Sequence, residues 1–485
     1  MLQRYWGPVA LAICLMATAA TAQAQYSAIP NITGPNAGQQ FRTDINERFG
    51  GQIPTTPLLV SRAFANLPPE QDGLLFLCND CQRTTPCAGG GAGALARGER
   101  GAWSCADGSV NGLLYVQAFG AKGNGTTDDS AAINAATAVA NAGKEIYLPA
   151  GTYDIKSASI SIGGSNMVLQ GAGRDLTTIK LDPAATITDL IQASNQSGVT
   201  IRDLTIDCNR ANNATAGVTG AELTRTSDSY LENVTIQNCS GNGAWFSEPL
   251  NRNGVIGSRI VNTGIAGANT YRPIYASRIN VGTTSGLFFR NNWIDTTSAA
   301  SSGAEGIKVA AGNAAGIVIS DVWETDNYVT VGAGAATTGI EDFNSSPSSF
   351  THVNVTGNHI FCPGTAATGW GISLGGANGT YGVVANNYVD SCSGWGIEDT
   401  FMKTSVTGNL IVNSGMNTLD ASGTTINGGI WTGSSFTGNT IIGQPHGVTD
   451  AIQAGNGTIS DILIAHNNIL YPSLYGIRTN GPISA

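Results

Sequence analysis

Short runs in which apolar and polar residues alternate recur along the chain from Ser157 to the C-terminus. Examples are Ile160-Ser-Ile162, Thr178-Ile-Lys-Leu181 and Val199-Thr-Ile-Arg-Asp-Leu-Thr-Ile206. Alternation with a period of two residues is typical of β-strands that bury one face. The pattern therefore predicts an all-β fold that is built from many short strands.

The strands carry a repeated marker, an asparagine that is followed two residues later by isoleucine, valine or leucine. It occurs at Asn292, Asn327, Asn358, Asn387, Asn409 and Asn439, with a compressed variant at Asn468-Ile-Leu470. A fixed marker at a variable interval of 22 to 35 residues predicts one coil of a β-solenoid per repeat, with loops of different length leaving one corner. Identical asparagines on stacked coils are expected to pass hydrogen bonds from one coil to the next.

One stretch, Tyr115 to Tyr153, predicts a helix between two strands. Carboxylates in its first turn suit the helix dipole, and a glycine marks its end. A helix at the open end of a solenoid hides the edge of the first strand, so we expect an N-terminal capping helix. The residues are the cap Thr127-Asp128-Asp129, the apolar positions Ile133, Ala136, Val139 and Ala140, and the terminator Gly143.

The same stretch resembles the opening of the pectate-lyase-like right-handed β-helix proteins, a group that includes rhamnogalacturonase/epimerase-like domains and phage tailspikes. The shared motifs are Phe119-Gly-Ala-Lys-Gly-Asn-Gly-Thr-Thr-Asp-Asp129, Ala131-Ala-Ile133 and Leu148-Pro-Ala-Gly-Thr-Tyr153, with Asn124 where aspartate is usual. The resemblance implies a right-handed parallel β-helix over residues 113–485. It implies no single activity, because its relatives include lyases, hydrolases, epimerases and binding proteins.

The first 24 residues have the features of a secretory signal peptide. Arg4 precedes an apolar core from Val9 to Ala20, and Ala22-Gln-Ala24 resembles a cleavage site. The apolar run is too short for a membrane anchor. We therefore expect cleavage near Ala24 and secretion to the periplasm, the cell surface or the medium.

Residues 25–112 form a segment rich in cysteine and glycine, which we interpret as a cap or an attachment module. Two readings of its cysteines are open: a four-thiolate zinc site, because the first two have Cys-x2-Cys spacing, or two disulfides, which export favours. Further along, two cysteine pairs are 31 and 30 residues apart, and either disulfides or stacked buried thiols fit them. The cysteines are Cys78, Cys81, Cys87 and Cys105, then Cys208 with Cys239 and Cys362 with Cys392.

Charge limits the class of partner. The formal net charge is −10, so the chain is a poor general binder of nucleic acid or of anionic membranes. A neutral polysaccharide suits it better, and an acidic one requires a local basic patch or a bridging cation. The four histidines show no metal-ligand spacing, and no motif indicates a cofactor or a metal ion. A dependence on Ca²⁺ has no legible signature, and a homotrimer is an open alternative because trimers are common among tailspike-like relatives.

A second marker, Gly-Ile or Gly-Val at the start of a short strand, points to the candidate chemistry. Alternation sends the isoleucine inward and the next residue outward, which predicts an outer column of Lys308, Glu341, Ser373, Glu398 and Trp431. Glu341 and Glu398 are two coils apart, so their backbones are separated by about 9.6 Å. Side-chain reach brings their carboxyl groups into the range of about 6.5–9.5 Å that inverting glycosidases use.

Further residues complete the candidate site. Asp342 and Asp399 follow the two glutamates at the predicted strand ends, so the candidate catalytic residues are Glu341, Asp342, Glu398 and Asp399. Trp370 and Trp395 provide flat surfaces for sugar rings or pack at a corner. Lys308 and Arg278 neutralise a uronate or are solvated surface charges. The competing interpretation of the carboxylates is a solvated acidic face or a cation site.

The sequence supports two functional hypotheses, one for an enzyme and one for a binding protein. In the first, the chain is an exported polysaccharide hydrolase or lyase that acts on a polymer lying along the solenoid. In the second, it is a non-catalytic carbohydrate-binding, adhesin-like or tailspike-like protein. The catalytic set of the polygalacturonase-like hydrolases and the Asp-Pro-His motif of the alginate epimerases are both missing from the sequence. No mechanism can therefore be transferred residue by residue.

Overall fold

A computed structural model gives the fold of the chain. It describes residues 61–69, 74–82, 87–89, 94–99, 102–106, 109–110, 113–140, 143–264, 271–279, 282–297, 305–332, 338–363, 369–376, 378–414, 417–421, 431–443, 451–454, 459–472 and 475–479. These residues all belong to one compact unit, residues 61–485. The predicted signal peptide lies outside the described residues.

Three long sheets with 14, 13 and 12 strands make up most of this unit. Each coil contributes one strand to the 14-stranded sheet, then one to the 13-stranded sheet, then one to the 12-stranded sheet, and each strand pairs in parallel with its counterpart on the next coil. In the 12-stranded sheet, for example, Ile307, Ile340, Ile372 and Ile397 are direct partners in succession. The predicted all-β parallel solenoid is confirmed, and residues about 30 apart in sequence are neighbours in space.

The strand bounds follow this order along the chain. The 14-stranded sheet contains Ser109–Val110 (its one antiparallel strand), Leu113–Tyr115, Glu145–Leu148, Val168–Gly171, Thr200–Arg202, Ser227–Glu232, Asn251–Ile256, Thr283–Arg290, Val318–Thr325, Ser349–Thr356, Gly379–Ala385, Ser405–Thr407, Ser435–Thr437 and Leu463–Ala465. The 13-stranded sheet contains Asn124–Asp128, Gly151–Ile155, Thr177–Leu181, Thr205–Asp207, Thr235–Gln237, Arg259–Val261, Trp293–Asp295, Tyr328–Thr330, His359–Phe361, Tyr388–Asp390, Leu410–Val412, Thr440–Ile442 and Asn468–Leu470. The 12-stranded sheet contains Ile160–Ile162, Asp189–Ser194, Thr219–Thr224, Ala244–Ser247, Ile274–Ile279, Ile307–Ala311, Thr338–Asn344, Trp370–Gly376, Trp395–Asp399, Asn417–Ala421, Ile452–Ala454 and Ile477–Thr479.

The segment before the solenoid has its own small sheets and its own disulfides. A four-stranded sheet (Ser61–Arg62, Leu75–Cys78, Ala94–Glu99 and Ala102–Ala106) accompanies a two-stranded one (Cys81–Gln82 and Ala88–Gly89) and a 3-10 helix, Phe64–Asn66. Cys78 is bonded to Cys81, and Cys87 to Cys105. The zinc alternative is therefore wrong, because the four sulfur atoms are used in disulfides. The boundary at residue 112 stays a prediction.

The predicted helix exists as α1, Ser130–Val139, after a 3-10 helix at Val116–Phe119. Its carboxylates work differently from the expectation. Asp128 accepts a hydrogen bond from the backbone N–H of Ser130, while the Asp129 carboxylate accepts bonds from the N–H groups of Lys122 and Gly123 and so fixes the glycine-rich turn. Gly143 does not end the helix, since Ala140 is its C-terminal boundary residue.

The asparagine ladder is confirmed as a buried hydrogen-bonded column between the 14-stranded and 13-stranded sheets. In each step the side-chain oxygen of one asparagine accepts bonds from the backbone N–H and the side-chain amide of the asparagine one coil earlier. For Asn327 and Asn358 the two distances are both 2.9 Å. The last rung is Asn467, whose oxygen accepts from Asn439, so the predicted rung at Asn468 is wrong by one residue.

Two further disulfides join neighbouring coils of the solenoid. Cys208 is bonded to Cys239, and Cys362 to Cys392, so the disulfide alternative holds for both pairs. Both bonds lie beside the turn between the 13-stranded and 12-stranded sheets. Each of them links two neighbouring coils at this turn.

Replacing Cys208 and Cys239 together by alanine is expected to lower the free energy of unfolding by about 3 to 4 kcal/mol. The reason is that a bond between residues 31 apart restricts the unfolded chain. Urea denaturation of the oxidised parent and of the double variant measures the difference. A loss of less than about 1 kcal/mol would contradict a stabilising role for this bond.

Candidate active site

The predicted outer column exists on the 12-stranded sheet and spans consecutive coils. Lys308 pairs in register with Glu341, Glu341 with Ser373, and Ser373 with Glu398. The next member is Asp420, so the prediction that Trp431 continues the column is wrong. Trp431 belongs to a separate pair of short strands, Trp431–Thr432 and Ile459–Ser460.

The charged members of the column form a shielded network. The Lys308 ammonium lies 2.8 Å from Glu341 Oε2 and 3.4 Å from Glu305 Oε1, and Glu305 is also paired with the Arg272 guanidinium. Glu341 is only 6% exposed, so this is not a solvated acidic face. Burial and, after it, the negative charge of Glu305 raise the pKa of Glu341, whereas Lys308 acts in the opposite direction.

The second glutamate has a different environment. The Ser373 hydroxyl donates a 2.6 Å hydrogen bond to Glu398 Oε2, and Glu398 is 9% exposed. The two glutamates of the column thus have different partners, a cation for Glu341 and a neutral donor for Glu398.

An aromatic pair borders the column. The rings of Trp370 and Trp395 are parallel within 15°, with centroids 5.1 Å apart, and both side chains are half-buried. The Cys362–Cys392 disulfide lies just before them on the same two coils, and Cys362 Sγ is 3.6 Å from the Trp370 carbonyl oxygen. The stack therefore stands on a covalently fixed pair of coils.

The two aspartates do not lie on the outer face. Asp342 pairs in register with Val309 and Leu374, and Asp399 with Leu374, which places both in the inward column. Both are completely buried. Asp342 is also not at a strand end, because its strand continues to Asn344, whereas Asp399 does end its strand and accepts a hydrogen bond from the Phe401 N–H.

A buried carboxyl pair, which we call the core acid pair, lies directly behind Glu341. It consists of Asp342 from the 12-stranded sheet and Glu324 from the 14-stranded sheet, both completely buried. None of their four oxygen atoms has a hydrogen-bond partner of ordinary geometry among the described residues. Burial raises the pKa of Asp342 to about 7 and that of Glu324 well above its ordinary value, and the negative charge of Asp342 adds to the effect on Glu324.

Sequence reasoning missed Arg272, Glu305 and Glu324. Glu305 stands immediately before a Gly-Ile marker, the position that Trp370 and Trp395 occupy in their repeats, and this equivalence could have identified it. Glu324 precedes an asparagine marker by three residues, where Phe289 and Val355 stand in the neighbouring repeats. A carboxylate at a position that is otherwise apolar is the signal. The side chain of Arg278 lies outside the described residues.

Metal-ligating residue types come together in two places within the described ranges. These groups are Cys81, Cys87 and Cys105, and Cys78, Asp80 and Cys81. All of the cysteines involved are in disulfides. Within the same ranges, no helix has the length and apolar character needed to cross a bilayer.

Residues 114–334 match the sequence model of the family described as rhamnogalacturonase A/epimerase, pectate lyase-like. A segment of 150 residues is 35% identical to mannuronan C5-epimerase AlgE6 of Azotobacter vinelandii. The match covers 26% of this chain and 17% of that protein. A segment of 109 residues is 38% identical to alginate lyase 7 of the same organism, covering 20% and 13%. The chain spans less than a fifth of the length of these two relatives. Among solved structures, the A-module of mannuronan C-5 epimerase AlgE4 of A. vinelandii aligns at 20% identity over 75% of this chain and 99% of that chain, with a TM-score of 0.42.

Proposed function

We propose that the outer face of the 12-stranded sheet binds a polysaccharide and cleaves it, as a hydrolase or a lyase. The observation that carries the proposal is the register of Glu341, Ser373 and Glu398 on three consecutive strands. It separates the two glutamate backbones by about 9.6 Å, which leaves room for a sugar linkage and a water molecule between their carboxyl groups. Similarity to a mannuronan epimerase and to an alginate lyase supports a polysaccharide substrate.

In the hydrolytic form of the proposal, Glu341 is the general acid and Glu398 the general base. Burial raises the pKa of Glu341, the direction that a proton donor requires, and Glu341 gives its proton to the leaving glycosidic oxygen. Glu398, oriented by the hydrogen bond from Ser373, takes a proton from the water that adds to the anomeric carbon. Activity is expected to fall as the pH rises through the pKa of Glu341, because the donor form is lost.

Other residues of the site have supporting roles in this proposal. Trp370 and Trp395 bind sugar rings, and Lys308 and Arg278 bind acidic or hydroxyl groups of the polymer. Asp342 and Asp399 face the core behind the two glutamates, so any effect they have on the site is indirect. In the lyase form of the proposal, Lys308 neutralises a uronate carboxylate and one glutamate removes the proton from the carbon beside it. A carbon–carbon double bond forms as the bond from the next ring carbon to the glycosidic oxygen breaks, and the other glutamate, in its protonated form, gives a proton to that oxygen.

Single substitutions Glu341→Gln and Glu398→Gln test the proposal on a panel of neutral and acidic polysaccharides. Each is expected to lower turnover by at least about 100-fold, the effect of losing a general acid or base, with polymer binding changed less than threefold. Glu222→Gln is the matched control and is expected to leave turnover unchanged, because Glu222 lies in the same column but four coils before Glu341. Full turnover in both site variants would refute the catalytic assignment.

The second candidate is a non-catalytic carbohydrate-binding protein of the adhesin or tailspike kind. The ion pair between Lys308 and Glu341 favours it, because a glutamate held by a lysine also serves to build a rigid binding surface. Polymer binding by the parent, without turnover of any polysaccharide on the panel, would select this candidate.

Several features of the whole chain stay proposals. We propose that residues 1–24 are a signal peptide cleaved near Ala24 and that the protein is secreted, which the four disulfides support because such bonds persist in oxidising compartments. We also propose that the solenoid is right-handed, as parallel crossover connections are, and that α1 covers its first open edge. Residues 25–112 are proposed to be a cap or an attachment module, and the protein is proposed to assemble as a homotrimer.

A further inference from the structure

A second row of side chains with binding chemistry lies on the outer face of the 13-stranded sheet, away from the candidate active site. It consists of Trp293, Tyr328, His359 and Tyr388, which we call the aromatic ladder. These residues are direct register partners on four consecutive strands. Each is the residue that immediately follows an asparagine marker, so the buried asparagine column and the exposed ladder have the same period.

The rings of the ladder touch but do not cover one another. Centroids of successive rings are 5.8, 4.6 and 4.6 Å apart, and successive planes are inclined by 67°, 54° and 73°. A parallel stack, such as Trp370 on Trp395 at 15°, covers the two ring faces that meet. In the tilted row, Trp293 stays 52% exposed and Tyr328 41% exposed, so apolar ring surface faces solvent on adjacent coils.

Polar groups border the row at both ends. The Arg259 guanidinium lies 5.4 Å from the Trp293 ring centroid, one coil earlier, and the Tyr388 hydroxyl donates a 2.9 Å hydrogen bond to Asp390. Asp295 and Thr330 lie beside the rings in the neighbouring outward column. Ring faces with hydroxyl, carboxylate and guanidinium groups at their sides match a sugar ring, which is apolar on its faces and polar at its rim.

The ladder and the candidate active site occupy the same four coils. The chain passes from Trp293 to Lys308, from Tyr328 to Glu341, from His359 to Ser373 and from Tyr388 to Glu398. Successive members of each row are one coil apart and are therefore separated by one strand spacing, about 4.8 Å. We propose that the aromatic ladder is a second glycan-binding surface, which holds a polysaccharide chain on a face adjacent to the active site.

The observations favour a glycan over a protein or a nucleic acid. The row is one ring wide and has polar neighbours, whereas a protein interface needs a broader apolar centre. A net charge of −10 opposes a polyanionic nucleic acid. The part of the inference that concerns catalysis rests on the proposed function: a polymer held by the ladder raises the effective concentration of its other segments at the active site.

Trp293→Ala/Tyr328→Ala tests the ladder in two backgrounds. In the Glu341→Gln/Glu398→Gln background, affinity electrophoresis with polymannuronate, polygalacturonate, a β-1,4-glucan and an α-1,3-glucan measures binding without turnover. We expect polymer binding to weaken at least about tenfold, because two exposed rings are removed. Tyr475→Ala is the matched control, since Tyr475 is an exposed aromatic residue outside the ladder and its loss is expected to change nothing.

In the parent background, the ladder variant is expected to retain turnover of short oligosaccharides and to lose efficiency on the polymer. Trp293→Phe/Tyr328→Phe keeps the rings and is expected to retain polymer binding, which separates ring loss from misfolding. Unchanged polymer binding in the alanine variant would overturn the ladder proposal while leaving the loss of turnover in Glu341→Gln intact. A second result would also overturn it: the alanine variant binds polymer like the parent but sediments as a monomer where the parent is an oligomer. The ladder would then join copies of the chain.

Discussion

Replacing the core acid pair by its amides, Glu324→Gln with Asp342→Asn, is expected to raise the free energy of unfolding at pH 8 by several kcal/mol. In the parent, burial raises the pKa of Asp342 from 3.8 to about 7, so between these values the folded protein holds a proton that the unfolded chain has released. Stability therefore falls as the pH rises through this range. At about 1.4 kcal/mol per pH unit the loss amounts to about 4 kcal/mol, and Glu324 adds to it in the same direction.

Urea denaturation at pH 4 to 8 measures this effect. The double amide variant is expected to match the parent near pH 4, where both carboxyl groups are protonated, and to exceed it increasingly towards pH 8. Asp326→Asn is the matched control, because Asp326 is exposed on the same coil, and the residue there has a φ of +57° that asparagine also adopts readily. Parallel pH profiles for the parent and the double variant would refute the account of the core acid pair.

Asn358→Ala is expected to cost about 3 to 5 kcal/mol of stability, although it removes only a small side chain. The Asn358 amide accepts bonds from the N–H and side chain of Asn327 and donates to the Glu324 carbonyl oxygen at 2.7 Å and to Asn387 at 3.0 Å. Its loss leaves the Asn327 N–H buried without its acceptor, at about 1–3 kcal/mol, and removes the side-chain bonds to the Glu324 carbonyl and to Asn387.

Asn354→Ala is the control for the ladder, because Asn354 lies on the same coil but faces outward and makes only a 3.5 Å contact with the His352 carbonyl. Its substitution is expected to change the free energy of unfolding by less than about 0.5 kcal/mol. Urea denaturation of both variants gives the comparison. A cost below about 1 kcal/mol for Asn358→Ala would contradict the role assigned to the asparagine column.

The repeat made the fold predictable from sequence. A fixed asparagine marker defines the coil, and alternation around the Gly-Ile marker defines which side chains leave the 12-stranded sheet, so Lys308, Glu341, Ser373 and Glu398 were placed in one column correctly. The same alternation also requires Asp342 to face inward. The prediction that Asp342 sits at a strand end is wrong, because it took a charged residue as the end of the strand and did not apply the two-residue period.

Features that depend on loop length or on two sheets at once were not predictable in this way. Asp420, rather than Trp431, follows Glu398 because the strand of this coil is Asn417–Ala421, which does not carry the Gly-Ile marker. The core acid pair joins two strands from different sheets, and no spacing in one strand reveals such a contact. Glu305 lies outside the strand that carries Lys308, so alternation says nothing about it.

The central claim is that the outer face of the 12-stranded sheet is the polysaccharide site, and a crystal structure tests it most directly. The sample is the Glu341→Gln/Glu398→Gln protein with an oligosaccharide made from a polymer that the parent binds or cleaves. We expect a sugar residue within hydrogen-bond distance, about 3 Å, of the side chains at positions 341 and 398, with a neighbouring ring against Trp370 or Trp395. An oligosaccharide that binds this protein well but lies entirely on another face would contradict the claim.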